Sequence, residues 1–249
     1  MTTENKDVPA SPWAAWLTGL IVSSARDLEK AGRACHRFES KILEAFEKRP
    51  IQKWEADRWF RGLKLRLIRT ADYFFRAGAG KRAPLSLFVR NAAGLNVGLR
   101  REAITQAATY ITLVTDYGYP RGTTRFESRW MDVVVYDPDR PEAGDIFEDT
   151  FSDSSPRIYA ENKAEETVLR KLCGRLETEF ATHVPVVEEP EPGNHKAGDD
   201  ALMKAHHIWV NRPRFFWAVS PTLRQAYRVD YGDTGFRLFA EPDIPHAAG

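Results

Sequence analysis

Residues 130–136 read Trp-Met-Asp-Val-Val-Val-Tyr, and residues 157–164 read Arg-Ile-Tyr-Ala-Glu-Asn-Lys-Ala. Both stretches are short, rich in β-branched and aromatic residues and flanked by Asp, Pro, Gly and Ser, so they predict two β-strands. Side chains alternate between the two faces of a strand, so Glu161 and Lys163 share one face of the second strand. If the strands pair, Asp132 brings a second carboxylate to the edge of an apolar core. Charges there need compensation, and a divalent cation is the obvious candidate.

This arrangement resembles the active site of the PD-(D/E)XK nuclease superfamily, which has the restriction-endonuclease-like fold. That pattern places an Asp on one strand and Glu or Asp, any residue and Lys on the next strand. A helix follows, and a preceding helix often carries a Glu. Asp132 matches the first carboxylate, and Glu161, Asn162 and Lys163 match the Glu-x-Lys triplet. Met131 stands where the family pattern has a Pro before the Asp, and many members lack that Pro. The resemblance covers roughly residues 95 to 240.

Two helices are predicted around these strands. The spacing of Val168, Leu172, Leu176 and Phe180 predicts a helix from Glu165 to Phe180 with one apolar side. A preceding helix is predicted from Leu99 to Val114, and Glu102 is its only carboxylate. The expected fold is therefore α/β: a mixed central sheet flanked by helices, with a restriction-endonuclease-like core and an N-terminal helical hairpin.

The resemblance implies a metal-dependent nuclease that hydrolyses phosphodiester bonds in DNA, or alternatively in RNA. Asp132, Glu161 and the backbone carbonyl of Asn162 would hold Mg²⁺, with Mn²⁺ as a substitute, and Glu102 would assist them. Lys163 would orient the attacking water or stabilise charge that grows on the phosphate oxygens. The rival interpretation is a non-catalytic nucleic-acid-binding or assembly module that retains the fold. A third is an unrelated α/β fold in which Glu161 and Lys163 form only a surface pair.

Basic residues are concentrated in one part of the chain. Eleven Lys or Arg lie between Arg58 and Arg101, against the single acid Asp72, whereas ten acids and three bases lie between Asp137 and Glu166. Aromatic residues interleave with the basic ones, a mixture that binds phosphates and stacks bases, although the same aromatics equally suit a helical core. The predicted nucleic-acid contacts are Arg58, Arg61, Lys64, Arg69, Lys81, Arg82, Arg100 and Arg101.

Three regions are predicted along the chain. Residues 1–11 are expected to be disordered, and residues 12–94 to be helical, with one helix from Pro12 to Arg49-Pro50 and another from about Gln52 to Ala77. Residues 95–249 are expected to form the α/β core, with a mobile, charged Pro/Gly loop at 186–202. Late in the core, we predict strands at 215–219 and 236–239 and a short helix from Ser220-Pro221 to about Asp230.

Composition predicts a soluble protein of a reducing compartment. Of 249 residues, 43% are hydrophobic and 29% are charged, with a net charge of +1, which suits a domain with a sizeable core. Cys35 and Cys173 lie far apart and indicate no disulfide framework or cysteine-based zinc site. The N-terminal stretch does not read as a signal peptide, and Trp13 to Ser24 is too short to span a bilayer. We expect a cytoplasmic protein with no membrane partner, and a homodimer is one option.

Overall fold

The computed structural model describes residues 12–33, 38–71, 73–77, 84–90, 95–128, 131–136, 156–185 and 199–247. Over these residues the fold is mixed α/β, with six helices and a six-stranded mixed sheet. The chain divides into two compact units, Met1–Thr112 and Leu113–Gly249, and the division falls inside the helix Arg101–Thr115. The predicted disordered segment 1–11 lies outside the described residues.

Three helices begin the first unit: α1 (Pro12–Lys30), α2 (Phe38–Lys48) and α3 (Lys53–Lys64). The predicted helical hairpin was therefore wrong in its number of helices. The first predicted helix corresponds to two helices, α1 and α2. Helix α1 packs against both α2 and α3. Its buried residues follow a 3–4 spacing that gives an amphipathic helix one apolar side, and they are Ala14, Leu17, Ile21, Ala25 and Leu28.

Short strands follow in the same unit, where the sequence predicted more helix. They are β1 (Ile68–Ala71), β2 (Phe74–Ala77) and β3 (Leu85–Ser86), which form an antiparallel sheet, and β4 (Phe88–Arg90) and β5 (Asn96–Leu99), which form an antiparallel pair. The helix predicted over 52–77 is therefore wrong beyond Lys64. Arg66 takes a left-handed φ of 56° just after the end of α3, and the β-branched and aromatic residues beyond it favour strands. Gly78 and Gly80, which follow the predicted end of this helix, lie outside the described residues.

The second unit contains the end of α4 (Arg101–Thr115) and one large sheet. Its elements are β6 (Thr124–Ser128), β7 (Met131–Tyr136), β8 (Pro156–Asn162), α5 (Glu166–Thr178), α6 (Asp200–Asn211), β9 (Phe215–Val219), β10 (Arg224–Tyr231) and β11 (Phe236–Glu241). The strand order is β11-β10-β9-β8-β7-β6. Strands β8 and β9 are parallel, and the other neighbouring pairs are antiparallel. The strands predicted at β7, β8, β9 and β11 and the helices predicted at α4 and α5 are confirmed.

Helices α5 and α6 pack on one face of the sheet. The buried cluster there joins Val134 and Tyr159 of the central strands to Leu169 and Leu172 of α5 and to Ala205 of α6. All six residues of β7 are buried, so the side chains on both faces of this strand are covered. Of the predicted apolar side, Leu172, Leu176 and Phe180 are buried, which confirms it at those positions. Val168 is 47% exposed, and the chain instead buries Leu169.

The helix predicted after Ser220-Pro221 is wrong. Residues 220–223 form a tight turn in which the amide of Ser220 donates to the carbonyl of Leu223 over 2.7 Å, and the amide of Leu223 donates to the hydroxyl of Ser220 over 3.0 Å. Strand β10 then pairs with β9. Ser-Pro suits both the start of a helix and the start of a β-turn, because Pro fixes the φ that each requires. The pairing of β10 on both sides shows that the turn was the correct interpretation.

Helix α6 begins inside the segment predicted to be a mobile loop. Residues 186–198 lie outside the described residues, but 200–202 are helical, so the predicted loop was too long. Asp199 caps the helix, because its carboxylate accepts hydrogen bonds from the amides of Ala201 and Leu202. Arg175 of α5 also binds this capping carboxylate, with Nη2 2.6 Å from Oδ2.

Among the described helices, none has both the length and the apolar composition that crossing a bilayer requires.

Candidate functional site

Two neighbouring strands bring Asp132 and Glu161 together, as predicted. Strands β7 and β8 are antiparallel, with Val133 opposite Ala160. Asp132 and Glu161 are the next residues in the two strands beyond that pair. Glu127 lies on β6, a separate strand that precedes β7, and therefore not on the strand of Asp132. The intervening Trp130 and the acidic segment 137–155 lie outside the described residues.

Both carboxylates lie on the face that α5 and α6 cover. Val134 and Tyr159 belong to the core on that face, and alternation places Asp132 and Glu161 on it as well. Asp132 is 9% exposed and Glu161 is 1% exposed. One oxygen of each lies within 4.8 Å of the other. At that separation two like charges repel by roughly 3–4 kcal/mol at an effective dielectric constant of 20, so the site needs positive charge.

A backbone hydrogen bond holds Asp132 in place. The amide of Asn162 donates to Oδ2 of Asp132 over 2.6 Å, and both groups are buried. A charged acceptor makes such a bond about twice as strong as a bond between neutral groups. The carboxylate of Asp132 is therefore fixed against the end of β8, next to Glu161.

Lys163 lies on the same side as Glu161, as the two-residue spacing predicted. Its Nζ is 2.8 Å from Oε1 of Glu161 and 3.0 Å from Oδ2 of Asp200 at the start of α6. The backbone amide of Lys163 donates to the carbonyl of Val219 over 3.0 Å, which continues the pairing of β8 with β9. The side chain is 14% exposed, so its ammonium group lies at the rim of the site.

A second lysine, Lys204, joins the site and was missed by the sequence analysis. It lies on α6, is 8% exposed, and places its Nζ 2.6 Å from Oε2 of Glu161. The helix itself had a signal, since Asp199 is a good N-cap and Ala201, Ala205 and Ile208 follow at helical spacing. Nothing in the sequence indicated that Lys204 contacts Glu161, because that contact depends on how α6 packs over the sheet.

The electrostatics of the site follow from burial and from these pairings. Burial raises the pKa of Glu161, the charge of Asp132 raises it further, and Lys204 and Lys163 oppose the shift. For Lys204, burial lowers the pKa, but the attraction of Glu161 and Asp132 outweighs it, and the net direction is upward. Lys204 is therefore an ammonium group at neutral pH. Two carboxyl groups, of Asp132 and Glu161, thus lie beside two amino groups, of Lys163 and Lys204.

The other predicted catalytic residue, Glu102, lies in the first turn of α4 and is partly buried. It belongs to the first unit, whereas Asp132 and Glu161 belong to the second. Its participation in the site stays a prediction.

The predicted nucleic-acid contacts fall into three groups. Arg61, Lys64, Arg69 and Arg100 are exposed, and Arg58 is partly buried with its Nε 3.3 Å from Oγ1 of Thr112. Lys81 and Arg82 lie outside the described residues. Arg101 was assigned wrongly. It is 2% exposed and its guanidinium binds Glu55 inside the first unit, so it is a residue of the core.

Three of the six aromatic residues among these basic ones are core residues. Trp59, Phe75 and Phe88 are at most 2% exposed, and the rings of Trp59 and Phe75 meet edge to face with centroids 5.3 Å apart. Fully buried rings have no face to offer a base. The alternative that these aromatics form the core of the N-terminal region is therefore correct for these three.

His206 and His207 are consecutive on α6, and their ring centroids are 5.4 Å apart with the planes almost perpendicular. Arg224 and Gln225 lie on β10 and not on a helix.

Compared with protein-family models, with curated proteins and with solved structures, the chain has no significant match.

Proposed function

We propose that this protein is a metal-dependent nuclease that hydrolyses phosphodiester bonds in DNA, and that its α/β core is restriction-endonuclease-like. The observation that carries the proposal is the meeting of Asp132, Glu161 and Lys163. Two adjacent strands bring their charged groups into one nearly buried volume. This is the arrangement that the PD-(D/E)XK resemblance implies, on strands that a helix follows at α5.

The donor set suits a hard divalent cation. Carboxylate oxygens are the ligands that Mg²⁺ and Mn²⁺ prefer, and one oxygen from each of Asp132 and Glu161 lies within 4.8 Å of the other. These two side chains would hold the ion, with help from the backbone carbonyl of Asn162 and from Glu102. When bound, such an ion polarises a phosphate and lowers the pKa of a coordinated water.

The chain's own residues have distinct roles in this proposal. The amide of Asn162 orients Asp132, so that the carboxylate does not have to reorganise when it acts. Lys163, at the rim, would orient the attacking water or stabilise negative charge on the phosphate oxygens. The exposed basic residues, such as Arg61 and Lys64, would bind the nucleic-acid backbone.

A second candidate function is a non-catalytic nucleic-acid-binding or assembly module. One observation favours it: each oxygen of Glu161 is already paired with an ammonium group, Oε1 with Lys163 and Oε2 with Lys204. Both oxygens of Glu161 therefore have lysine partners without an ion. This candidate predicts nucleic-acid binding with no cleavage under any metal condition.

A cleavage assay tests the proposal. Double-stranded DNA, single-stranded DNA and RNA would be incubated with Mg²⁺, with Mn²⁺ and with EDTA. We expect metal-dependent cleavage that is lost in Asp132→Asn and Glu161→Gln, because each removes an anionic ligand. Lys163→Ala should lose turnover but largely keep metal binding, because an ammonium group does not ligate a cation.

Asp233→Asn is the matched control, since Asp233 is an exposed carboxylate in the turn before β11. It should cleave like the parent. Cleavage that survives in Lys163→Ala would refute the role given to that residue. Binding of nucleic acid without cleavage in the parent would favour the second candidate.

A further inference from the structure

Lys204 and Lys163 neutralise Glu161 from two directions. Lys163 lies two residues beyond Glu161 on the same strand, while Lys204 comes from α6, a different element. Each ammonium group takes a different oxygen of the same carboxylate, at 2.8 Å for Lys163 and 2.6 Å for Lys204. A cation that binds Glu161 must therefore compete with at least one of them.

Lys204 has a second carboxylate within reach of its ammonium group. Lys163 already contacts that carboxylate, because its Nζ lies 3.0 Å from Oδ2 of Asp200 as well as 2.8 Å from Oε1 of Glu161. Lys204 reaches Glu161 through its four-carbon stem, which has rotatable bonds throughout. Asp200 lies four residues before Lys204 on α6, and residues at that spacing are neighbours on a helix. Asp200 is 53% exposed, so it offers the ammonium group of Lys204 a second carboxylate that is closer to solvent.

We propose that Lys204 is an internal counter-cation that competes with a divalent metal ion for Glu161, and that it moves toward Asp200 when the ion binds. This inference rests on the proposed function, because it concerns the same site. It makes Lys204 a positioning residue that sets the metal affinity and holds Glu161 in place when the metal concentration is low. Lys204 lies outside the Glu-x-Lys triplet, which ends at Lys163.

Metal binding to Lys204→Met provides the test. Met keeps the apolar stem but lacks the charge, so the ion no longer competes with the ammonium group. Coulomb's law with the screening of bulk water gives about a tenfold effect for one unit charge about 5 Å from a divalent ion. We therefore expect Lys204→Met to bind Mn²⁺ at least about tenfold more tightly than the parent in isothermal titration calorimetry. Lys204→Arg, which keeps the charge, should resemble the parent.

Lys171→Met is the matched control, since Lys171 is an exposed lysine on α5, and it should bind Mn²⁺ like the parent. Adding Asp132→Asn to Lys204→Met should abolish the gain, which assigns the ion to this site. If the parent binds Mn²⁺ and Lys204→Met binds it equally or less tightly, the inference is overturned while the metal site of the proposed function stands. If Lys204→Met binds Mn²⁺ and the parent does not, the inference holds and the proposed catalysis fails.

A measurement on the parent protein keeps the test independent of how the variant folds. Lysine acetylation followed by peptide mass spectrometry reports how accessible each ammonium group is. Lys204 should be protected without metal and modified several-fold faster at saturating Mn²⁺, while Lys171 should be modified equally under both conditions. An unchanged rate at Lys204, in protein that calorimetry shows to be loaded, would overturn the inference.

Discussion

Replacing Glu55 by Gln should destabilise the first unit by about 3–5 kcal/mol, the usual cost of removing one partner of a buried ion pair. The carboxylate of Glu55 is fully buried and binds the guanidinium of Arg101 twice, Oε1 to Nη1 at 2.8 Å and Oε2 to Nη2 at 2.5 Å. Oε1 also accepts from Thr105 over 2.6 Å, and Oε2 accepts from the amide of Gln52 over 2.8 Å. Gln has one acceptor where Glu has two, so it leaves buried donors unsatisfied beside an uncompensated charge.

The assay is equilibrium urea denaturation followed by circular dichroism and tryptophan fluorescence. Asp57→Asn is the matched control on the same helix. Asp57 also belongs to an ion pair, with Lys53 at 2.7 Å, but the side chain of Asp57 is 31% exposed and that of Lys53 is 61% exposed. An exposed pair at this spacing contributes about 0.3–0.5 kcal/mol. Glu55→Met combined with Arg101→Met should recover much of the loss, since apolar replacements of a whole buried pair are often neutral. A cost for Glu55→Gln no larger than that for Asp57→Asn would refute the reasoning.

Three further changes probe a tightly packed glycine, a buried thiol and the basic surface. Gly235→Ala should cost about 1–3 kcal/mol, because the new Cβ would lie 2.8 Å from the backbone of Ala181, whereas Gly232→Ala, with 3.6 Å to its nearest neighbour, should be nearly silent in thermal denaturation. Burial raises the pKa of Cys173 to about 11, so iodoacetamide at pH 8 should label it only after unfolding, and rapid labelling of the native protein would contradict its burial. If DNA binds, its affinity should fall steeply with salt, and Arg61→Gln should make the log–log slope shallower by about 0.9 for each phosphate that the variant no longer neutralises; an unchanged slope would remove Arg61 from the interface.

Much of the fold followed from local patterns. Runs of β-branched and aromatic residues predicted β7, β8, β9 and β11, and apolar spacing predicted α5. The resemblance to the nuclease superfamily added the expectation of α4. Patterns that suit two structures were misassigned: Ser220-Pro221 begins a turn and not a helix, and residues 68–71 and 74–77 form strands after a helix that ends at Lys64. Local sequence does not separate these cases, because the choice depends on which neighbours are available for pairing.

The sequence by itself determined the relation between Glu161 and Lys163, because alternation along a strand puts residues two apart on one face. It also made Asp132 a partner for them, since two strands close in the chain tend to pair. Only the tertiary structure decided that Lys204 reaches Glu161 from α6 and that Arg101, in a basic stretch, is buried against Glu55. Those contacts join residues more than forty positions apart. They depend on how helices pack, and a pattern of charges along the chain does not specify which charges packing will bury together.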